Sequence, residues 1–163
     1  MNDHLDSLAD DLGRRLADTG LVLTTAESCT GGWIAKCVTD VAGSSGWFDR
    51  GFVTYSNDAK RDMLGVAPRA LEAHGAVSEF VVREMVLGAL TRSTAQVAVA
   101  VSGIAGPGGG SAEKPVGTVC FGFALSGRVR TETLCFDGDR DAVRRQTVEQ
   151  ALRRLITLLG DGC

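Results

Sequence analysis

The five residues Val97-Ala98-Val99-Ala100-Val101 are aliphatic throughout, with no polar alternation. A strand of that kind is covered on both faces, as a central strand of a helix-flanked sheet is, whereas a half-solvated strand alternates apolar with polar residues. The valines and the flanking turn residues favour strand over buried helix. One such strand obliges the rest of the chain to supply helices for two faces and neighbours for two edges. The chain has 163 residues, 44% hydrophobic and 23% charged, which suits one globular domain. At this length folding buries roughly 70% of the extended chain's surface, so a core forms without disulfides or metal.

Helix and strand signals alternate around that strand. Leu5, Leu8, Leu12 and Leu16 recur at spacings of three and four, with acids early and Arg14 and Arg15 late, as in an amphipathic helix over 3–19 that Gly20 ends. Residues 21–25 read as a short strand that breaks at Ala26-Glu27-Ser28, and residues 30–41 as a helix with a glycine-rich first turn. Residues 51–55 are the next β-rich run, after which Ser56 or Asn57 caps a short helix carrying Lys60. Ser78 caps a longer helix with Val82, Met85, Val86, Ala89 and Leu90 on one face. Val119, Phe121, Phe123 and Leu125 alternate with Cys120, Gly122 and Ala124, and Ser126-Gly127 turns the chain into a strand through Phe136. Gly138-Asp139-Arg140 opens a terminal helix with an apolar stripe from Val148 to Leu159. This order predicts an α/β fold: a three-layer α/β/α sandwich with a mixed sheet, a single domain over residues 1–163.

Charge and cysteine usage narrow the function. Seventeen Lys and Arg against twenty Asp and Glu give a net charge of -3, so no global field draws the chain to nucleic acid or to an anionic membrane. The longest strictly aliphatic stretch is far below the roughly 20 residues that span a bilayer. The first residues, MNDHLDSLADDLGRR, have no apolar core of a secretory signal, and a cytoplasmic location is expected. Five cysteines, Cys29, Cys37, Cys120, Cys135 and Cys163, form no C-x-x-C pair and have no histidine at ligand spacing, which argues for reduced thiols and against zinc.

In α/β sheets ligands gather outside the carboxyl ends of the strands, and two segments suit that place. The first is Thr25-Ala26-Glu27-Ser28-Cys29-Thr30-Gly31-Gly32. Ser28 lies between strand and helix, where first-turn N–H groups can hold an oxyanion or a phosphate; the plainer reading is a serine N-cap. The second is Ser102-Gly103-Ile104-Ala105-Gly106-Pro107-Gly108-Gly109-Gly110, after the central strand. Its glycines let consecutive N–H groups face an anion, although a flexible surface loop would have the same composition. It matches neither G-x-x-x-x-G-K-[ST] nor G-x-G-x-x-G before a helix, so ATP hydrolysis and dinucleotide redox are poor fits.

A serine hydroxyl needs a base. The chain offers only His4, near a terminus, and His74, at a helix end where capping is the commoner role. A Ser–Lys pair is the alternative, and the lysines are Lys36, Lys60 and Lys114. Lys60 follows the second strand by one short turn and Tyr55 ends that strand, so both reach the edge where Ser28 emerges. A lysine base must lose its proton near neutral pH, which takes desolvation or a neighbouring cation. Cys29, beside Ser28, is a rival nucleophile if a helix N-terminus favours its thiolate. Arg140, Arg144 and Arg145 open the last helix; a solvated face is their plain reading, and Arg140, near the helix start, is placed for a phosphate.

At these residues the chain resembles the CinA C-terminal-domain family, and within it the stand-alone nicotinamide-nucleotide amidohydrolases. The shared stretches are TAESCTGGWIAK, GSSGWFDRGFVTYSNDAK, GAVSE, VSGIAGPGGGSAEKPVGTV and GDRDAVRRQ. The resemblance implies hydrolysis of the carboxamide of nicotinamide mononucleotide to nicotinic acid mononucleotide and ammonia. It implies Ser28 as nucleophile, with Tyr55 and Lys60 activating it, and no metal or other cofactor. Thr30, Gly31 and Gly32, the loop residues Gly103, Ala105 and Gly106, and Arg140 would hold the nucleotide, with helix-start N–H groups at the oxyanion. Many relatives carry a further N-terminal domain that this sequence does not contain. A homodimer is expected, because small domains with open sheet edges commonly pair. The competing readings are a nucleotide-phosphate binding module without chemistry and a Cys29 thiol hydrolase.

Overall fold

The computed structural model describes residues 3–161. In chain order its elements are α1 (Asp3–Thr19), β1 (Leu23–Glu27), α2 (Trp33–Thr39), β2 (Phe48–Val53), α3 (Asn57–Leu64), α4 (Pro68–His74) and α5 (Glu79–Thr91). They continue with β3 (Val97–Gly103), β4 (Thr118–Leu125), β5 (Arg128–Cys135) and α6 (Arg140–Asp161). The five strands form one mixed sheet in the order β2-β1-β3-β4-β5. β1 runs parallel to both β2 and β3, and β4 and β5 are antiparallel additions.

β3 is the middle strand, and its alternation divides the core. Val97, Val99 and Val101 face a layer of α1, α2 and α6 together with Leu12, Leu16, Ile34, Leu152 and Leu155. Ala98 and Ala100 face α5, where Val82, Met85 and Val86 pack on a floor that Ala26, Cys120 and Ala124 complete. The floor is small because α5 lies close on it: a Cβ at Gly122 would stand 2.7 Å from the Val82 carbonyl oxygen. The α/β/α sandwich and its mixed sheet are therefore as expected, with helices on both faces.

The boundaries differ in ways that matter for the site. β1 runs two residues further than expected, to Glu27, because it pairs with β3 as far as Val101. β2 begins earlier, at Phe48, and stops at Val53, which leaves Tyr55 in the turn after it. α2 begins at Trp33 rather than at residue 30, with Gly32 as its N-cap in the left-handed region. Ser28 is therefore not an N-cap. Ser56 and Ser78 do cap α3 and α5, accepting from Ala59 N–H and Val81 N–H. Among the described residues no helix is long and apolar enough to cross a membrane.

Candidate active site

The carboxyl ends of the three parallel strands open on one side of the sheet. β2 lies to one side of β1 and β3 to the other, so the crevice at the end of β1 is a topological switch point. A cleft of about 310 Å³ occupies it, within the range of small-molecule sites. Ser28, Cys29, Tyr55, Asn57, Lys60, Ser102 and Arg140 line it with the Val77 wall and the loop Gly103 to Gly109.

Ser28 follows β1 directly, and its N–H continues the sheet by donating to the Val101 carbonyl at 3.0 Å. Its hydroxyl lies 3.0 Å from Lys60 Nζ. Lys60 comes from the first turn of α3 and is only 1% exposed. Its amine also donates to the carbonyls of Thr54 at 2.9 Å and Tyr55 at 3.3 Å. Three oxygens thus surround one nitrogen, and two of them, as carbonyls, can only accept. In the neutral amine two N–H bonds serve those carbonyls, and the lone pair is left for the one partner able to donate, the Ser28 hydroxyl. Burial pushes the Lys60 pKa below the ordinary lysine value. Lys60 is thus a desolvated amine in contact with Ser28, with no carboxylate among its hydrogen-bond partners in the described residues.

Tyr55 contributes differently from expectation. Its backbone carbonyl meets Lys60 and lies 3.4 Å from Ser28 Oγ. The phenol instead accepts a hydrogen bond from Arg140 Nη2 at 3.2 Å, and the side chain is 62% exposed. Arg140 also donates through Nη1 to the Gly106 carbonyl at 2.7 Å, tying α6 to the glycine loop. Gly106 has φ +85°, and a Cβ there would stand 2.5 Å from Val116 Cγ1, so the loop takes this course only with glycine. Among the described residues the N–H groups of Ala105, Gly106, Gly108 and Gly109 donate no hydrogen bond, which leaves them for an anion beside Arg140.

Thr30, Gly31 and Gly32 lie outside the cleft lining and build the turn instead. Thr30 Oγ1 donates to Glu27 Oε1 at 2.5 Å, and the same carboxylate accepts from Ile34 N–H at 2.8 Å and Ala35 N–H at 3.0 Å. The first-turn amides of α2 are thus spent on Glu27, which corrects the expectation that they hold an oxyanion. Burial pushes the Glu27 pKa up, and the hydrogen bonds from Thr30, Ile34 and Ala35 pull it back. A carboxylate accepts at both oxygens; a carboxamide would aim an N–H at an N–H. Glu27→Gln is expected to cost about 2 kcal/mol of unfolding free energy, read from urea denaturation.

Cys29 is buried beside Ser28, and burial pushes its thiol up to about 12, so it is no thiolate at neutral pH. The resting thiolate on which the thiol-hydrolase reading drew is therefore disfavoured. Cys37 and Cys120 are buried free thiols and Cys135 an exposed one; Cys163 lies outside the described residues. Neither histidine faces Ser28: His4 pairs with Glu149, and His74 stacks on Phe80. Sequence reasoning named Glu27 and Ser102 within the two segments, Asn57 as a cap and Arg144 as a solvated residue, and gave none of them a role in the site. An acid at a strand end, three residues before a hydroxyl and ahead of two glycines, is a signal that would have found Glu27.

The family model of the CinA C-terminal domain matches residues 5–159. A curated relative, "Nicotinamide-nucleotide amidohydrolase PncC" of Escherichia coli strain K12, is 59% identical over 152 residues, covering 93% of this chain and 92% of its own. The crystal structure of the competence/damage inducible protein CihA from Agrobacterium tumefaciens is 52% identical, covers 94% of each chain and superposes with a TM-score of 0.91. That of the competence damage-inducible protein A (ComA) from Klebsiella pneumoniae is 41% identical over 98% of this chain and 99% of its own, with a TM-score of 0.95.

Proposed function

The chain belongs to the CinA C-terminal-domain family, and from that premise we propose that it hydrolyses the carboxamide of nicotinamide mononucleotide to nicotinic acid mononucleotide and ammonia, with Ser28 as the nucleophile. The observation that carries the serine assignment is the 3.0 Å contact between Ser28 Oγ and a buried Lys60 amine that has no carboxylate partner among the described residues. The neutral amine takes the Ser28 proton as Oγ bonds to the amide carbon, and the carbonyl electron pair moves to oxygen. Lys60 then gives that proton to the departing nitrogen, ammonia leaves, and an ester on Ser28 remains. Water attacks the ester while Lys60 takes its proton, and the returning proton restores the Ser28 hydroxyl as the acid departs.

The nucleotide's other end meets a different chemistry. The loop amides of Ala105, Gly106, Gly108 and Gly109 and the Arg140 guanidinium suit its phosphate. Val77, Ile104 and Ala76 offer apolar surface to the pyridine. Such anchoring holds the carboxamide against Ser28 and converts binding into proximity. Tyr55 enters as a carbonyl toward Lys60 and as a phenol toward Arg140, a bridge between the two ends. A phosphorylated substrate and reduced cysteines suit the cytoplasm, the acidic balance suits neither nucleic acid nor membrane, and the open edges β2 and β5 suit pairing with a second copy.

The test is ammonia release from a panel of pyridine nucleotides in the presence of EDTA. Nicotinamide mononucleotide is expected to turn over undiminished by the chelator. Binding of that nucleotide without release of ammonia would establish the non-catalytic module instead.

A further inference from the structure

We infer that Arg144 of α6 is a positioning residue for the transition state of this reaction: by holding the two carbonyls that follow Ser28, it orients and polarises the Cys29 N–H as a donor to the oxyanion. The inference rests on the reading of Ser28 as nucleophile. Arg144 Nε donates to the Cys29 carbonyl at 3.0 Å, and Nη2 donates to the Thr30 carbonyl at 3.1 Å. The Thr30 carbonyl shares a peptide with the Gly31 N–H, which donates to the Ser28 carbonyl at 3.1 Å. The Ser28 carbonyl in turn shares a peptide with the Cys29 N–H. The cation therefore stands at the head of two hydrogen-bonded peptides whose last donor belongs to the residue after the nucleophile.

Inside a protein such a chain is cooperative, each bond strengthening the next. The rival donors nearby are spent: Ser28 N–H on Val101, and the Ile34 and Ala35 amides on Glu27. Cys29 is buried and lines the cleft with Ser28; its N–H lies against its own sulfur and donates to no other described residue. When Ser28 Oγ bonds to the amide carbon, the carbonyl pair becomes an oxyanion that needs a donor on this side. The clamp is itself held, because the Arg144 guanidinium stacks over the Trp33 ring at 5.6 Å from its centroid, at the start of α2. The planar fork of a guanidinium fits two carbonyls where an ammonium offers a point charge.

The experiment compares wild type, Arg144→Met and Arg144→Lys with three probes: nicotinamide mononucleotide, the product nicotinic acid mononucleotide, and the aldehyde analogue of the substrate. The aldehyde forms a reversible tetrahedral adduct with a serine and so reports on oxyanion stabilisation. In Arg144→Met we expect kcat to fall about 10–100-fold with KM within about twofold, a fraction of what loss of a whole oxyanion donor costs. Affinity for the aldehyde should fall by the same factor and affinity for the planar acid should hold, with Arg144→Lys recovering part of both losses. An unchanged kcat, an unchanged aldehyde affinity, or a parallel loss of aldehyde and acid affinity each overturns the inference; the last would mean a disordered cleft. If Arg144→Met does not fold, the same comparison is decided on Arg144→Lys. Ser28→Ala measured beside them separates the two levels: an active Ser28→Ala defeats the nucleophile reading, whereas an inactive one beside a fully active Arg144→Met defeats only this inference.

Discussion

Ser28→Ala is expected to reduce ammonia release from nicotinamide mononucleotide by about 10⁴-fold or more, the scale on which serine hydrolases lose turnover without their nucleophile. The loss should appear in kcat and leave binding nearly intact, because the groups proposed to anchor the phosphate, Arg140 and the loop amides, are untouched by the substitution. The fold should survive. Ser28 keeps its backbone bond to Val101, and the deleted hydroxyl contributes only its contact with Lys60 and a long one to the Tyr55 carbonyl. Calorimetric titration of Ser28→Ala with the intact substrate is the check. A variant that retains a tenth of wild-type turnover would take Ser28 out of bond making, whatever its affinity.

Lys60→Met and Lys60→Arg should each lower kcat by about 10³-fold or more, for different reasons. Methionine fills the volume but carries no base. Arginine keeps donors for the Thr54 and Tyr55 carbonyls but cannot give up its proton. Loss in both assigns Lys60 the proton, and activity in Lys60→Arg would reduce it to a scaffold. In wild type, kcat/KM should rise with pH through the lowered Lys60 pKa, since the working form is the neutral amine.

Stability should carry the same signature. Because the folded pKa lies below the ordinary 10.5, the unfolded chain binds more protons between the two values, and stability rises with pH there. The penalty of burying an ammonium is present in full below the folded pKa and fades as the pH approaches 10.5. Lys60→Met should lose this slope in unfolding measured against pH. The Cys29 thiol works in the opposite sense above its ordinary 9.0, but it is present in both proteins and cancels in the difference.

The candidate residues that the structure brings to one cleft share one property: their positions follow from local signals. Ser28, Lys60, Arg140 and the loop around Gly106 stand at strand ends, in capped first turns or in a glycine run, and the parallel sheet brings such places together. Three errors have one physical cause, that a one-dimensional reading names side chains and not the groups that act. Tyr55 meets Lys60 through its carbonyl. Thr30 spends its hydroxyl on Glu27, and with Gly31 and Gly32 it forms the turn that delays α2 to Trp33. The α2 amides serve the carboxylate of the residue before Ser28 rather than a substrate.

Periodicity and turn chemistry act over a few residues, so the chain alone determined its layers, its central strand and the edge at which the cleft opens. Arg144 reaches Cys29 across 115 positions, and Lys60 reaches Ser28 across 32. Those contacts, and the dry surroundings that lower the pKa of an ordinary lysine, were decided only by packing, because desolvation depends on which distant segments close over a group.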